Sequence, residues 1–297
     1  MFRYLALTSF ILFILASAGC ELYPQDEFEE QYVVESYLVA NRTLPQVRIS
    51  RTVPVDQRYN FNDAAVNDAD VEIRLLDESG ETVEDRFSFR RRSNGIYETG
   101  NPHKVLPGRT YQLHVTFSNS VEEIEGTTRI PGAFKAENST EDRITYQDPN
   151  QITINTTRSA YPGRQAFFIF TVEAGNPAVE NLTPFYADQV NNQDQEIAGY
   201  YSNSSGIVNE ENYEENEDGT LTLRLPWLAV AFYEENYIIA SAIDDNMYDF
   251  YRSQDVQTGG STLPPGELQN IIYNLEGGIG IFGSLASDTV EVFIERN

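Results

Sequence analysis

Apolar and polar residues alternate with a period of two along most of the chain. Tyr32-Val-Val-Glu-Ser-Tyr-Leu-Val39 and Pro45-Gln-Val-Arg-Ile-Ser-Arg-Thr-Val53 show the pattern first. Val71-Glu-Ile-Arg-Leu-Leu76 and Tyr111-Gln-Leu-His-Val-Thr-Phe117 repeat it, with many β-branched and aromatic residues. Successive side chains of a strand point to opposite faces, so this alternation predicts half-buried strands. Turn chemistry separates the runs: Asp77-Glu-Ser-Gly80, Ser93-Asn-Gly95 and Leu106-Pro-Gly108. Asn-Gly favours a tight hairpin turn because both residues tolerate positive φ. Short strands spaced about 8–12 residues apart point to a β-sandwich.

Arg129-Ile-Pro-Gly132 reads as a boundary. Residues 31–131 are therefore expected to form an N-terminal, immunoglobulin-like sandwich, and residues 132–297 a C-terminal β-rich domain. Strand patterns resume at Ile152–Thr156, Ala166–Val172, Leu221–Leu225 and Tyr237–Ile243. Two more, Ile279–Phe282 and Thr289–Ile294, lie near the end. The polar stretches 188–197 and 202–219 read as loops, and Pro264–Asn270 as a turn. Asp244–Arg252 predicts one short helix, with Asp244 or Asp245 as its cap. The fold class is mainly β: two sandwich-like domains with one or two short helices.

The beginning of the chain has a different character. Arg3 precedes an apolar run from Tyr4 to Ala18, and Ser17-Ala18-Gly19 leads to Cys20, the single cysteine. A membrane span needs about 20 apolar residues, so the run fits a signal-peptide core better. A short apolar core ending in small residues and Cys is the layout of a bacterial lipoprotein leader. The expectation is a signal peptide over residues 1–19, removal before Cys20, and lipidation of that thiol. Two acyl chains make a stable membrane anchor where one is marginal. Glu21–Glu30 is then an acidic tether, and its charge resembles an export tag for the outer face of the outer membrane.

Charge narrows the partners. The chain carries 46 acidic and 20 basic residues, a net charge of −26, and its lysines are Lys104 and Lys135. Such a surface suits a salty medium, where ions screen self-repulsion. Nucleic acid is not expected as a partner, because phosphate binding needs a basic stripe. Arg90-Arg91-Arg92 is too short to make one. With one cysteine no internal disulfide forms, so stability must come from burial.

Catalytic chemistry finds little support. Nucleophilic catalysis needs an activated nucleophile beside a base. The two histidines, His103 and His114, stand in a loop and a strand pattern, and no Gly-x-Ser-x-Gly elbow occurs. They lack zinc-ligand spacing, so no catalytic residue, metal or cofactor is expected. Glu214–Gly219 resembles a calcium loop, but with Gly219 at position six, Leu225 falls where a bidentate Glu is needed. Asp244, Asp245 and Asp249 could serve as acid and base, though capping and solvation explain them more simply. Trp227, the one tryptophan, is a candidate contact for a ligand or partner, since exposed aromatics stack on ligands.

Tyr273-Asn-Leu-Glu-Gly-Gly-Ile-Gly-Ile-Phe-Gly283 stands apart, with four glycines within seven residues. It resembles the closing motif of a Bacteroidota lipoprotein family known as domain of unknown function 4249. Asn274, Glu276, Gly277, Gly278, Gly280, Phe282 and Gly283 match that motif. Val33-Val-Glu35, Val47–Thr52, Ala69–Ile73, Gly95-Ile-Tyr97, Pro107–Leu113 and Tyr248–Arg252 agree with its other segments in order. The resemblance implies a two-part β-rich lipoprotein, often encoded beside TonB-dependent outer-membrane receptors. It brings no catalytic residues. Glycine lets a backbone turn with positive φ or approach another segment closely, so the motif reads as a bulged strand packed on the sandwich. Glu276, its one charge, would then accept backbone N–H groups; otherwise it is a candidate ligand or partner contact.

The function expected is binding rather than catalysis. The protein reads as a lipid-anchored outer-membrane accessory, held by the lipid on Cys20 and partnering a TonB-dependent receptor in nutrient uptake. A surface structural or adhesion lipoprotein is the alternative, and a carboxylate-dependent hydrolase a further one. The ligand has no signature in the sequence.

Overall fold

The computed structural model describes residues 28–138, 141–193, 195–257 and 270–297. Cys20, the leader and the turn signal at Pro264 lie outside the described residues. The early strands are β1 (Tyr32–Val39), β2 (Val47–Arg51), β3 (Ala69–Leu76), β4 (Val83–Ser88), β5 (Arg90–Ser93), β6 (Ile96–Glu98), β7 (Thr110–Phe117) and β8 (Glu123–Arg129). They make two layers, one ordered β1-β2-β6-β5 and the other β8-β7-β3-β4. Val34, Leu38 and Ile49 from the first layer meet Ile73, Leu113 and Ile124 from the second, all fully buried. The alternation read from the sequence is the reason: in β7 every second residue, Tyr111 to Phe117, is buried.

The later strands are β9 (Ala136–Asn138), β10 (Arg143–Thr145), β11 (Ile152–Thr156), β12 (Phe167–Ala174), β13 (Ser202–Ser204), β14 (Val208–Asn209), β15 (Glu214–Glu215), β16 (Leu221–Leu225), β17 (Glu234–Ile243), β18 (Leu275–Glu276) and β19 (Ile279–Glu295). β15-β16-β11-β9 forms one layer. It covers the layer β12-β17-β19, burying Ile152, Ile154 and Leu223 against Phe168, Ala240 and Val292. The fold is thus mainly β, with open sandwich layers, as the patterning predicts.

β19 is one continuous strand of 17 residues. Its first part, Ile279–Leu285, pairs in parallel with β1, from Val33↔Ile279 to Val39↔Leu285. Its later part, Leu285–Ile294, pairs antiparallel with β17. The two layers therefore merge into a single ten-stranded sheet. Just before it, β18 adds to β8, with Leu275 opposite Gly126 and Glu276 opposite Glu125. The sequence pattern breaks this strand into two because residues 280–284 are all buried. Ile281 faces a helix on one side, while Phe282 faces the core on the other.

Three helices are described: α1 (Phe61–Ala64), α2 (Pro184–Gln193) and α3 (Asp245–Gln257). α2 corrects the loop expected from residue 188. Thr183-Pro184 supplies its start, with proline at the first helical position, where its missing N–H costs nothing. α3 is the helix expected near Asp244, one turn longer. Asp244 is the cap, accepting from the Met247 N–H at 2.9 Å. Met247 packs on Ile243 and Ile281, which seats α3 on the outer face of the large sheet. The second polar stretch, 202–219, holds the short strands β13, β14 and β15.

Candidate functional site

Beside α3 lies a groove of about 350 Å³. Its floor is the outer face of the sheet: Ile169 and Thr171 from β12, Ser241 and Ile243 from β17, Leu285 from β19. Met247, Tyr251 and Asp255 of α3 form one wall, and Ser204-Ser-Gly-Ile207 the other. The combination of an apolar floor and a hydroxyl-rich rim follows from the strands. Their outward positions carry both β-branched and small polar residues, and α3 covers only part of them. Burial raises the phenol pKa of Tyr251, and of Tyr37 beneath the same helix, so both stay neutral hydrogen-bonding groups. Small-molecule sites have this makeup, mostly apolar with a few polar groups at the edge.

Of the three aspartates read as candidate acids, Asp244 and Asp245 have structural duties and Asp249 lies on the exposed face of α3. Asp244 is fully buried, held by Thr128 Oγ1 at 2.6 Å and by the Met247 N–H. Burial pushes its carboxyl up from 3.8 to about 6, against the lowering effect of those hydrogen bonds. Asp245 pairs with Arg164 Nε at 2.5 Å. The Arg164 guanidinium also lies 3.9 Å from the centre of the Tyr161 ring. Asp249 is exposed on α3, its carboxyl raised by partial desolvation and by the neighbouring charge of Asp245.

Trp227 is half-buried in a single turn after β16. Its indole N–H donates to the Asp148 carbonyl at 3.1 Å, and its ring meets Tyr146 edge-on at 5.3 Å. Glu276 is exposed at the end of β18. The glycines after it are required by close packing. A Cβ on Gly277 (φ +78°) would sit 2.0 Å from the Glu123 carbonyl oxygen. One on Gly280 (φ +116°) would sit 2.1 Å from the Val34 carbonyl oxygen. Glu214–Gly219, the calcium-loop look-alike, forms β15 and a turn in which Asp218 accepts from Thr220.

One cluster escaped the sequence reading. His114 of β7 contacts Glu123 of β8 through Nε2, and Glu125 Oε1 lies 3.8 Å from the same nitrogen. Residues two apart on β8 share a face with a β7 residue opposite them. The signal was present as the outward phase of two consecutive alternating runs. It needed the β7–β8 pairing, His114↔Glu125, to become visible.

No curated protein matches the chain. Among solved structures it is similar to a tetra-tandem repeat from the extending region of a large adhesion protein. That match has 14% identity and a TM-score of 0.23, covering 90% of this chain and 49% of that one. It is also similar to three N-terminal domains of the bacteriophage RB49 highly immunogenic outer capsid protein (11% identity, TM-score 0.24, 91% and 71% coverage). The chain spans about half the length of the first of these structures (49%). No functional reading rests on either. The family comparison is decisive where these are not: residues 21–291, nearly all of the chain beyond the leader pattern, match the model for the domain of unknown function DUF4249, and the protein belongs to that family.

Proposed function

We propose that this protein is a lipid-anchored ligand-binding accessory of a Bacteroidota outer membrane, working beside a TonB-dependent receptor in nutrient uptake. The observation that carries the binding part is the groove between α3 and the sheet. Its volume of about 350 Å³ suits a small molecule. Its floor, Ile169, Ile243 and Leu285, offers apolar contact, and Thr171, Ser204, Ser205 and Ser241 offer hydroxyls to orient a polar group. The Cys20 leader pattern supports the anchor, and family membership supports the receptor association through the resemblance described above. The acidic segment after Cys20 supports export to the cell surface.

Three measurements test the reading. Labelled palmitate should be incorporated by the wild type and not by Cys20→Ala. Affinity purification from mild detergent should bring down an outer-membrane barrel, identified by mass spectrometry; recovery of the protein without any barrel counts against the receptor role. Ser241→Trp, which fills the groove from its floor, should abolish growth support on the transported nutrient while the protein still reaches the membrane. Unimpaired growth of that variant would remove the groove from the function.

A further inference from the structure

We propose that His114, Glu123 and Glu125 form a binding site for a divalent transition-metal ion, completed by Glu276 from the C-terminal motif. Two independent observations converge on it. The first is side-chain geometry. One ligand atom from each of His114, Glu123 and Glu125 lies within 4.8 Å of the other two. Zinc binds imidazole nitrogen and carboxylate oxygen at about 2.0–2.2 Å, so two ligands of one ion lie up to about 4 Å apart. Glu125 Oε1, 3.8 Å from His114 Nε2, already has that spacing, and Glu123, in direct contact with the same nitrogen, has to draw back to admit an ion. Glu123 and Glu125 are partly exposed and free to move, while His114 is mostly covered and held by β7.

The second observation is the strand register. Glu276 of β18 stands opposite Glu125, which stands opposite His114, which stands opposite Glu72. Directly opposed side chains share a face of the sheet and lie about 5 Å apart at Cβ. Glu276 is therefore delivered to the edge of the cluster by the pairing of the final segment with β8. Gly277 enforces the approach, because only a residue without Cβ can lie against the Glu123 carbonyl. The Glu123 and Glu125 carboxylates then flank the imidazole, with Glu276 one strand beyond Glu125 on the same face. Arg74 offsets part of this charge, 3.5 Å from Glu125, but its Nε is committed to Glu72 at 2.5 Å. Like charges directly opposite one another destabilise a sheet, and a cation would relieve that repulsion.

The donor set defines the ion. One imidazole nitrogen with carboxylate oxygens suits zinc and its first-row neighbours, whereas calcium and magnesium take oxygen ligands. Bound there, the ion would fasten β18, and through it the glycine motif, to the hairpin of β7 and β8. Water is left to fill any remaining position.

Zinc chloride titrated into chelator-treated, untagged full-length protein in detergent, followed by calorimetry, tests the site. One saturable zinc site is expected, unaffected by millimolar calcium. His114→Ala should weaken binding by about 100-fold or more and Glu276→Gln by about 10-fold, the scale seen when supporting groups of metal sites are removed. Circular dichroism checks that the variants fold. Should His114→Ala not fold, the double variant Glu123→Gln/Glu125→Gln carries the same expectation. Absence of saturable zinc uptake by the wild type overturns the proposal, and so does equal uptake by His114→Ala. Wild-type affinity in Glu276→Gln would overturn the part assigned to the C-terminal motif.

Discussion

Thr128 Oγ1 lies 2.6 Å from Asp244 Oδ2 and 2.7 Å from Ser284 Oγ, joining β8, the cap of α3 and the middle of β19. All three residues are buried, two of them completely. Thr128 has one hydroxyl proton, so it donates to only one of these neighbours at a time. When Asp244 is ionised, that proton serves the carboxylate. When Asp244 is protonated, the carboxyl donates to Thr128, Thr128 to Ser284, and Ser284 to the Arg129 carbonyl at 3.0 Å. The donors of Thr128 and Ser284 are used in either state, so what favours the neutral acid is desolvation, which outweighs the hydrogen bonds made to the carboxylate.

A pH dependence follows. The folded-state pKa of about 6 lies above the ordinary value of 3.8, so between these limits the native state binds more protons than the unfolded chain. This group's contribution to stability therefore grows as pH falls from about 6 towards 4, and is lost as pH rises. The full span is worth roughly 2–3 kcal/mol. Asp244→Asn keeps the cap and cannot titrate. Urea unfolding at pH 4.5 and pH 7.5 should show the wild type gaining on Asp244→Asn at the lower pH by about 1–2 kcal/mol. A constant difference between the two proteins would show that Asp244 stays ionised.

The glycine motif predicts a sharp contrast. Gly277→Ala and Gly280→Ala each combine positive φ with a Cβ some 2 Å from a carbonyl oxygen of β8 or β1. Neither carbonyl can retreat without breaking a strand pairing. Each substitution should cost about 2–5 kcal/mol. Gly199→Ala, where an added Cβ meets nothing within 4 Å, should stay within about 0.5 kcal/mol. Denaturant midpoints of the three variants check this, and a mild effect at Gly280 would contradict the packing of β19 on β1.

How much of this was legible in the sequence depended on whether a residue's environment is set locally. β1, with one face in the core and one partly exposed, was readable to the residue as Tyr32–Val39. β19 was not, because α3 buries its second face and erases the alternation. α2 was obscured by its Asn191-Asn192-Gln193 end, although Thr183-Pro184 was a usable start signal. The need for glycine in the closing motif was legible as backbone freedom. What it serves, contact with β1 and β8 more than 120 positions earlier, was not. The groove and the His114 cluster are tertiary in the same way: each residue is unremarkable in its own strand and acquires meaning from the neighbour strand.

Trp227 offers a direct readout of the second sandwich. It is the one tryptophan, and its edge-on contact with Tyr146 and bond to Asp148 hold it half out of water. Unfolding should shift its emission to the red in a single transition. Trp227→Phe retains the ring contact and drops the hydrogen bond, at a cost of about 1 kcal/mol. A loss well above that would mean that the larger indole also fills space the ring contact does not account for.

Asn274 gives the strongest separation between a structural and a ligand-contacting reading of the motif. Its side chain brackets the Phe282 backbone, accepting from the N–H at 3.1 Å and donating to the carbonyl at 2.8 Å. Asn246, at the start of α3, donates to the same Phe282 carbonyl at 3.1 Å and to the Thr127 carbonyl at 2.7 Å. The two amides together pin β19 between β8 and α3. Asn274→Ala removes these two bonds and a third, from the amide to the Thr127 carbonyl at 3.3 Å, and lets water reach the strand, costing about 1–2 kcal/mol. Asn274→Asp is nearly the same size, yet it should cost more, about 2–3 kcal/mol. It keeps an acceptor for the Phe282 N–H but sets a charged oxygen against two carbonyls that had been receiving donors. Thermal unfolding above pH 7 measures both variants. An aspartate no worse than alanine would mean that the amide's donors do not hold the strand, and that the asparagine serves something outside the fold.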